Sequence, residues 1–73
     1  MNLINEALQP QVIIGALLES AEAAWMDGRL YTARDQIEQA GLFVSLVREE
    51  HRASYESMVS EYITNIQVEI DRE

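Results

Sequence analysis

The chain of 73 residues has room for one domain, spanning 1–73, and its single histidine and lack of cysteine exclude disulfides and a zinc site as stabilising elements. Thirteen acidic residues against five arginines give a net charge of −8, so direct binding to nucleic acid is not expected. The same charge favours a protein partner with a basic surface.

The first predicted element is a helix over residues 10–26. Pro10 suits the first turn of a helix, where its missing N–H would have had no partner, and Gly28 suits the position that closes one. Apolar residues recur at spacings of three and four on one side of this helix: Ile14, Leu17, Leu18, Ala21 and Trp25. Residues 2–9 add a short turn of helix, in which Leu3, Ala7 and Leu8 continue the apolar side.

A tight turn at residues 27–29 leads to a second helix, predicted over residues 30–71. No proline follows Gly28, and an apolar stripe continues at helical spacing through Leu30, Ala33, Ile37, Ala40, Val44, Val47, His51, Tyr55, Met58, Tyr62, Ile66 and Ile70. At 1.5 Å per residue this helix would be about 60 Å long, more than twice the length of the first. The alternative is a break near Gly41 or around His51 and Arg52, which would give three helices.

These elements predict an all-α fold in which an unequal helical hairpin, with a short first helix and a long second one, pairs with a second copy into a homodimeric bundle. Half of the apolar stripe has no cover within the chain, and a copy related by a two-fold axis is the simplest cover. Residues 41–47 are apolar nearly all round the predicted helix. The residues assigned to the dimer interface are Leu42, Phe43, Leu46, Val47 and His51.

The region around the predicted turn resembles one tetratricopeptide repeat between residues 14 and 47. The residues that carry the resemblance are Leu17, Ala21, Gly28, Ala33, Ile37 and Ala40. The chain departs from the repeat at Ser20 and Ala24, where larger apolar residues are usual, and at Ser45, where a proline normally ends it. Such arrays need about three repeats for a stable core. The resemblance therefore implies a close antiparallel helix pair and not membership of the family.

No catalytic, cofactor or metal site is predicted. His51 is the only imidazole, and no second metal ligand lies at helical spacing from it. Ser54 lies three residues further along but lacks an orienting acid and an oxyanion hole. The glycines form no loop that would bind a phosphate. We therefore expect neither an enzyme nor a protein with a cofactor.

The expected function is to bind and modulate a larger protein, as an adaptor or an inhibitor. Tyrosine and arginine often dominate the energetics of interfaces. The partner-binding candidates lie mostly beyond the reach of the first helix: Arg48, Arg52, Tyr55, Met58, Val59, Tyr62 and Ile66. Two alternatives are an acidic mimic of nucleic acid, of the phage or mobile-element type, that inhibits a DNA-binding or nuclease protein, and a structural subunit of a larger assembly.

The sequence also predicts where the protein acts. The longest apolar run covers residues 12–18, whereas a membrane span needs about 18 apolar residues. No basic segment precedes an apolar run near residue 1, as it would in a secretory signal. We expect a cytoplasmic protein that does not contact a membrane.

Overall fold

The computed structural model describes residues 9–72, which form three α-helices and no strand. Helix α1 spans Pro10–Met26, α2 spans Leu30–Val44 and α3 spans Glu49–Asp71. The predicted all-helical class is confirmed, whereas the two-helix hairpin is wrong. The region predicted as one helix over 30–71 is divided by residues 45–48. The helical turn predicted for residues 2–9 lies outside the described residues, apart from Gln9.

Helix α1 begins at Pro10, which occupies its first turn. The backbone of Gln9 is extended, with φ −66° and ψ 139°, as expected for a residue that precedes a proline. Its carbonyl accepts hydrogen bonds from the N–H groups of Val12, at 3.0 Å, and Ile13, at 3.2 Å. The start of the helix therefore depends on the proline and the backbone, without a capping side chain.

Gly28 ends α1 and reverses the chain. Its φ of +81° lies in the left-handed region that glycine adopts at little cost. The N–H of Gly28 donates to the carbonyl of Trp25 at 3.0 Å, and the N–H of Arg29 donates to the carbonyl of Ala24 at 2.9 Å. This pair of bonds is the Schellman arrangement, which satisfies the last carbonyls of a helix. Helix α2 starts directly afterwards and packs antiparallel to α1.

The core lies between α1 and α2 and extends onto α3. Alanines at the α1–α2 contact allow the two helices to approach closely, as the repeat-like spacing implied. The buried core residues of these two helices are Ile14, Leu18, Ala21, Ala24, Ala33, Ile37, Ala40 and Val44. Helix α2 packs against both of the other helices and is therefore the central element.

The break between α2 and α3 contains neither glycine nor proline. After α2, the N–H groups of Leu46 and Val47 each bond to a carbonyl three residues earlier, at 3.0 Å, which is the tight pattern common at helix ends. Arg48 is extended, with φ −55° and ψ 141°. The guanidinium of Arg52 donates to the carbonyl of Val47 at 2.9 Å, so a side chain of α3 satisfies the backbone of the turn.

Helix α3 returns along α2 and also contacts α1. A Cβ atom added to Gly41 of α2 would lie 3.4 Å from Cγ1 of Val59, an ordinary van der Waals contact, so α3 passes beside Gly41 at this point. Further along, the hydroxyl of Tyr62 donates a hydrogen bond to the carboxylate of Glu22 on α1. Helix α3 therefore covers the apolar stripe of its own chain and buries Val59, Ile66 and Ile70. Among residues 9–72, no helix has the length and apolar character that crossing a membrane requires.

Candidate protein-interaction site

A groove with a volume of about 890 Å³ lies beside the α2–α3 turn, and we call it the turn groove. One wall is the start of α1, residues 9–11, and another is the turn itself, residues 46–48. The third wall is the first half of α3, with His51, Ser54, Tyr55 and Met58. The groove forms because the break directs α3 back past the beginning of α1.

Apolar side chains in the turn groove remain accessible to solvent. Leu46 is 64% exposed and Met58 is 41% exposed, while Tyr55 is half-buried against the core. Val47 lies beneath them and is buried. Exposed apolar groups that line a concave surface are typical of sites that bind another protein or peptide.

The groove also carries a cation, the guanidinium of Arg48, in a molecule whose net charge is −8. Arg48 is exposed, and its Nη1 atom lies 3.9 Å from Oε1 of Glu50. An exposed ion pair of this length contributes little to stability, so the guanidinium is available to a carboxylate on a ligand. His51 is exposed on the same lining. Together these side chains suit a segment that presents apolar residues beside a carboxylate.

A smaller cavity of about 480 Å³ lies on the neighbouring side of α3, between α3 and the end of α2. Its lining includes Gly41, Arg52 and Glu56. The guanidinium of Arg52 is already bonded to the turn through Nη2, while its Nε atom is buried without a hydrogen-bond partner. Arg52 therefore acts mainly as a brace for the turn.

The five residues assigned to a dimer interface do not lie on one surface. Leu42 is 75% exposed at the end of α2, and Leu46 is exposed in the turn. Phe43 is half-buried against the core, and Val47 is buried. His51 lies in the turn groove with Leu46 and Val47. The break separates these positions, which would follow one another closely on a continuous helix.

The partner-binding candidates are also divided among different environments. Arg48, Tyr55 and Met58 meet in the turn groove. Arg52 lines the smaller cavity, whereas Val59 and Ile66 are buried in the core. The start of α1 and Ser54 complete the groove without having been identified from the sequence. The spacing of residues in the sequence does not indicate that the start of α1 and Ser54 belong to one site, because they come together only where α3 folds back past α1.

Tyr62, the remaining candidate, joins two helices. It is half-buried, and its hydroxyl donates to Glu22 across 40 positions of the sequence. This hydrogen bond, together with partial burial and the negative charges of Glu22 and Glu61, raises the pKa of Tyr62 above 10.0. Since the hydroxyl already has a partner within the chain, Tyr62 contributes to the packing of α3 on α1.

Another exposed apolar pair lies at the opposite end of the molecule, near the α1–α2 turn. Met26 is 89% exposed, and Tyr31 is exposed on α2. The guanidinium of Arg34 stacks on the Tyr31 ring at 5.2 Å from its centroid, a cation–π contact within one helix. These side chains line neither of the cavities described above. Met26 therefore serves as a reference position for tests of the turn groove.

Residues 9–72 contain no group of three or more histidine, cysteine or carboxylate side chains that is arranged to hold a metal ion. Within this described part of the chain, the lining of the turn groove includes one histidine and one serine, His51 and Ser54, and no carboxylate. The arrangement is thus suited to binding by apolar contact and a charge. No family model, curated protein or solved structure matches the chain.

Proposed function

We propose that the protein is a small acidic interaction module that binds and modulates a larger protein through the turn groove. The observation that carries this proposal is the exposed apolar lining of the groove, formed by Leu46 and Met58, with Arg48 beside it. A segment that fills the groove would remove this apolar surface from water, which is the main driving force of most protein association. Arg48 would orient a partner carboxylate.

The test is a comparison of capture from an extract of the source cells by wild-type protein and by three variants. Leu46→Glu and Met58→Glu place a charge in the groove, while Met26→Glu places the same charge on an exposed methionine at the other end. A partner of the groove is captured by the wild type and by Met26→Glu and is lost with both groove variants. Equal capture by all four proteins, or loss with Met26→Glu alone, would contradict the proposal.

Pairing of two copies is part of this proposal, and it is supported by the exposed Leu42 at the end of the molecule where α2 stops. Leu42 is 75% exposed and lies outside the turn groove, so an apolar contact there leaves the groove open. We expect light scattering at micromolar concentration to give the mass of a dimer, and Leu42→Glu to give a monomer. A wild-type monomer would exclude pairing and leave the groove hypothesis in place.

A second candidate function, mimicry of nucleic acid, is supported by the distribution of charge. Apart from Glu6 and Glu73, which lie outside the described residues, every carboxylate of the chain is on an exposed residue. Described ion pairs with arginine involve only Asp27, Glu50 and Glu69. A basic target bound by this surface would be released as ionic strength rises. Neutralising Asp35, Glu38, Glu49 and Glu56 would also weaken such binding. Binding that is unaffected by ionic strength and by these four substitutions would instead favour the groove.

The proposed role involves no catalysis and no cofactor. Among residues 9–72, the groove lining supplies neither a carboxylate that could act with His51 as an acid or a base nor a donor set for a metal. The absence of cysteine from the chain fits a reducing compartment such as the cytoplasm, where we place the interaction.

A further inference from the structure

We propose that the protein has a second, open form, in which α2 and α3 join into one continuous helix and two copies exchange their α3 helices. In this form each α3 packs on α1 and α2 of the other copy, so the contacts of α3 are retained and the turn at residues 45–48 is what changes. The exchange differs from the surface pairing proposed above, in which each α3 stays on its own chain, and it stands or fails separately from that pairing.

The turn between α2 and α3 is already close to a helical conformation. Ser45 has helical torsions, with φ −63° and ψ −17°. Arg48 has a helical φ of −55°, and only its ψ of 141° is extended. Leu46 and Val47 donate their N–H groups to carbonyls three residues earlier, which is one residue short of the α-helical pattern. Rotation about ψ of Arg48, with adjustment of the two residues before it, therefore makes the helix continuous.

The closed form satisfies the polar groups of this turn incompletely. Helix α3 begins at Arg48 without a capping side chain, whereas a continuous helix would supply carbonyl partners for the N–H groups of its first turn. The carbonyl of Val47 is held by the guanidinium of Arg52, whose Nε atom is buried without a hydrogen-bond partner in the described chain. In a continuous helix the N–H of His51 bonds to the Val47 carbonyl and Arg52 is released from the turn. The cost of the buried unpaired donor is then removed.

The sequence is compatible with both forms. Val44, Val47 and His51 continue the apolar stripe of α2 into α3 at helical spacing, and residues 45–48 contain neither glycine nor proline. The two forms use the same helices and the same core, so they differ in the turn and in the new contact between copies. Two packings of one sequence that are so similar in content can lie close in free energy.

The register of α2 and α3 identifies the new contact. Gly41 lies beside Val59, so two continuous antiparallel helices that keep this level have their midpoint at residue 50. The residues of the apolar stripe nearest to that midpoint are Val47 and His51. The closed form leaves His51 exposed although it lies on the stripe, and the open form covers it with the helix of the other copy.

Exchange also alters the turn groove, because residues 46–48 form one of its walls. The closed form is then the one that binds a partner, and the concentration of the protein regulates the groove. This consequence rests on the proposed function, whereas the exchange itself does not.

The distance between two spin labels on one chain tests the open form. The chain has no cysteine, so Thr32→Cys and Val68→Cys provide the attachment sites, both at exposed positions. Thr32 precedes Gly41 by nine positions and Val68 follows Val59 by nine. The closed form therefore holds the labels at one level of neighbouring helices, whose axes lie about 8–10 Å apart. In a continuous helix the same two positions are separated by about 54 Å.

The doubly labelled chain is diluted with unlabelled protein and refolded from urea at micromolar and at millimolar concentration. We expect the short distance alone at the lower concentration and an additional long distance at the higher one, because exchange needs two copies. The short distance alone at both concentrations would overturn the proposal. That result is also the one expected if copies pair only through their surfaces.

Glu49→Pro separates the two forms through the backbone. Position 49 is the first residue of α3, where proline is favoured, and Arg48 before it has the extended conformation that Gln9 has before Pro10. In a continuous helix the same proline removes a hydrogen bond and clashes with the carbonyl of Ser45. The population of the open form should then fall more than about 100-fold. Persistence of the long distance in Glu49→Pro would overturn the proposal.

Two further variants control for charge and for the stability of the turn. Glu49→Gln removes the same charge but keeps the N–H group, so the long distance should persist. Arg52→Met deprives only the closed form of a hydrogen bond, so the fraction of chains with the long distance should rise about fivefold or more. Loss of the long distance in Glu49→Gln, or a fraction that does not rise in Arg52→Met, would contradict the proposal.

Labels on separate copies show whether α3 is exchanged or only detached. Copies with Thr32→Cys alone are mixed with copies with Val68→Cys alone and refolded together at millimolar concentration. The short distance should now appear between copies, and Glu49→Pro in both copies should remove it. Absence of this distance, where the doubly labelled chain gives the long one, would overturn the exchange. Glu49→Pro retains the turn groove, so capture of a partner by this variant tests the proposed function independently.

Discussion

Replacing Ile66 tests whether α3 folds back onto α2 within one chain. Ile66 has an exposed fraction of 0% in the core, while Val68, two positions away on the same helix, is 45% exposed. Truncation of a fully buried isoleucine to alanine costs about 2–5 kcal/mol, because apolar contact is lost and a cavity is left. Truncation at an exposed position changes the free energy of unfolding by no more than about 0.5 kcal/mol. Ile66→Ala should therefore be far more destabilising than Val68→Ala.

The size of this effect is large relative to the stability of so small a protein. At about 0.05–0.15 kcal/mol per residue, a chain of this length has a free energy of unfolding of roughly 4–11 kcal/mol. Ile66→Ala removes a substantial part of it, and Ile66→Val, which deletes one methylene, should cost about 0.5–1.5 kcal/mol. The three variants should thus form a graded series, in which the amount of buried apolar side chain that is removed decides the order.

Urea denaturation followed by far-ultraviolet circular dichroism measures these differences. Each variant is studied at two protein concentrations, because cover supplied by a second copy would make stability depend on concentration. The fold described above predicts that the loss for Ile66→Ala is the same at both. Equal losses for Ile66→Ala and Val68→Ala, or a loss that disappears on dilution, would refute the packing of α3 on its own chain.

Three other predictions follow from local geometry. Gly28→Ala should lower the free energy of unfolding by about 1–2 kcal/mol because φ is +81° there. Gly15→Ala should raise it by up to about 1 kcal/mol, since within residues 9–72 an added Cβ would meet no other helix or distant side chain. Equal effects of the two substitutions in urea denaturation would contradict this. Glu22→Gln should lower the pKa of Tyr62 toward 10, as observed by tyrosinate absorbance in a protein whose other tyrosines are replaced by phenylalanine. Because the pKa is raised in the folded state, the Tyr62–Glu22 contact stabilises the fold fully below about pH 10, and this stabilisation is lost as Tyr62 ionises. An unchanged pKa in Glu22→Gln would refute the role of this contact. Arg52→Met should cost about 1–3 kcal/mol in urea because a carbonyl of the α2–α3 turn loses its donor, and full stability of this variant would refute its bracing role.

The first half of the fold could be predicted from the sequence because local signals determine it. Pro10 marks the start of α1 through its missing N–H, and Gly28 marks the end through a conformation that other residues avoid. Both effects act over one turn of chain and need no knowledge of distant residues. The apolar spacing within α1 and α2 then identifies the faces that meet, since both helices are short and follow each other directly in the chain.

The break at residues 45–48 could not be predicted in the same way. Val44, Val47 and His51 continue the apolar stripe at helical spacing, so the periodicity is the same for one long helix and for two. The break depends instead on distant contacts, such as the bond from Arg52 to the Val47 carbonyl and the packing of α3 on α2. Gly41 was the available local signal, because glycine weakens a helix interior, but the structure places it within α2, beside Val59 of α3 and before the break.

The turn groove was only partly predictable, because it too depends on contacts between distant parts of the chain. Arg48, Tyr55 and Met58 were identified because they lie beyond the first helix and belong to residue types common at interfaces. The wall that the start of α1 supplies depends on the direction of α3 after the break. Val59 and Ile66 were assigned to a surface because a continuous helix would have left them uncovered. In the three-helix fold α2 covers this part of the stripe.

The division of the predicted long helix into α2 and α3 also alters the physical argument for pairing of two copies. With a long second helix, a partner copy would be needed to complete the core, so dissociation and unfolding would be one process. In the three-helix fold the core residues of α3 are covered within the chain, and Leu42 is the exposed member of the predicted dimer interface that lies outside the turn groove. Pairing and folding then become separable. If Leu42→Glu yields a monomer whose urea stability equals that of diluted wild-type protein, pairing is an addition to a complete fold; if the monomer is unfolded, α3 requires the second copy.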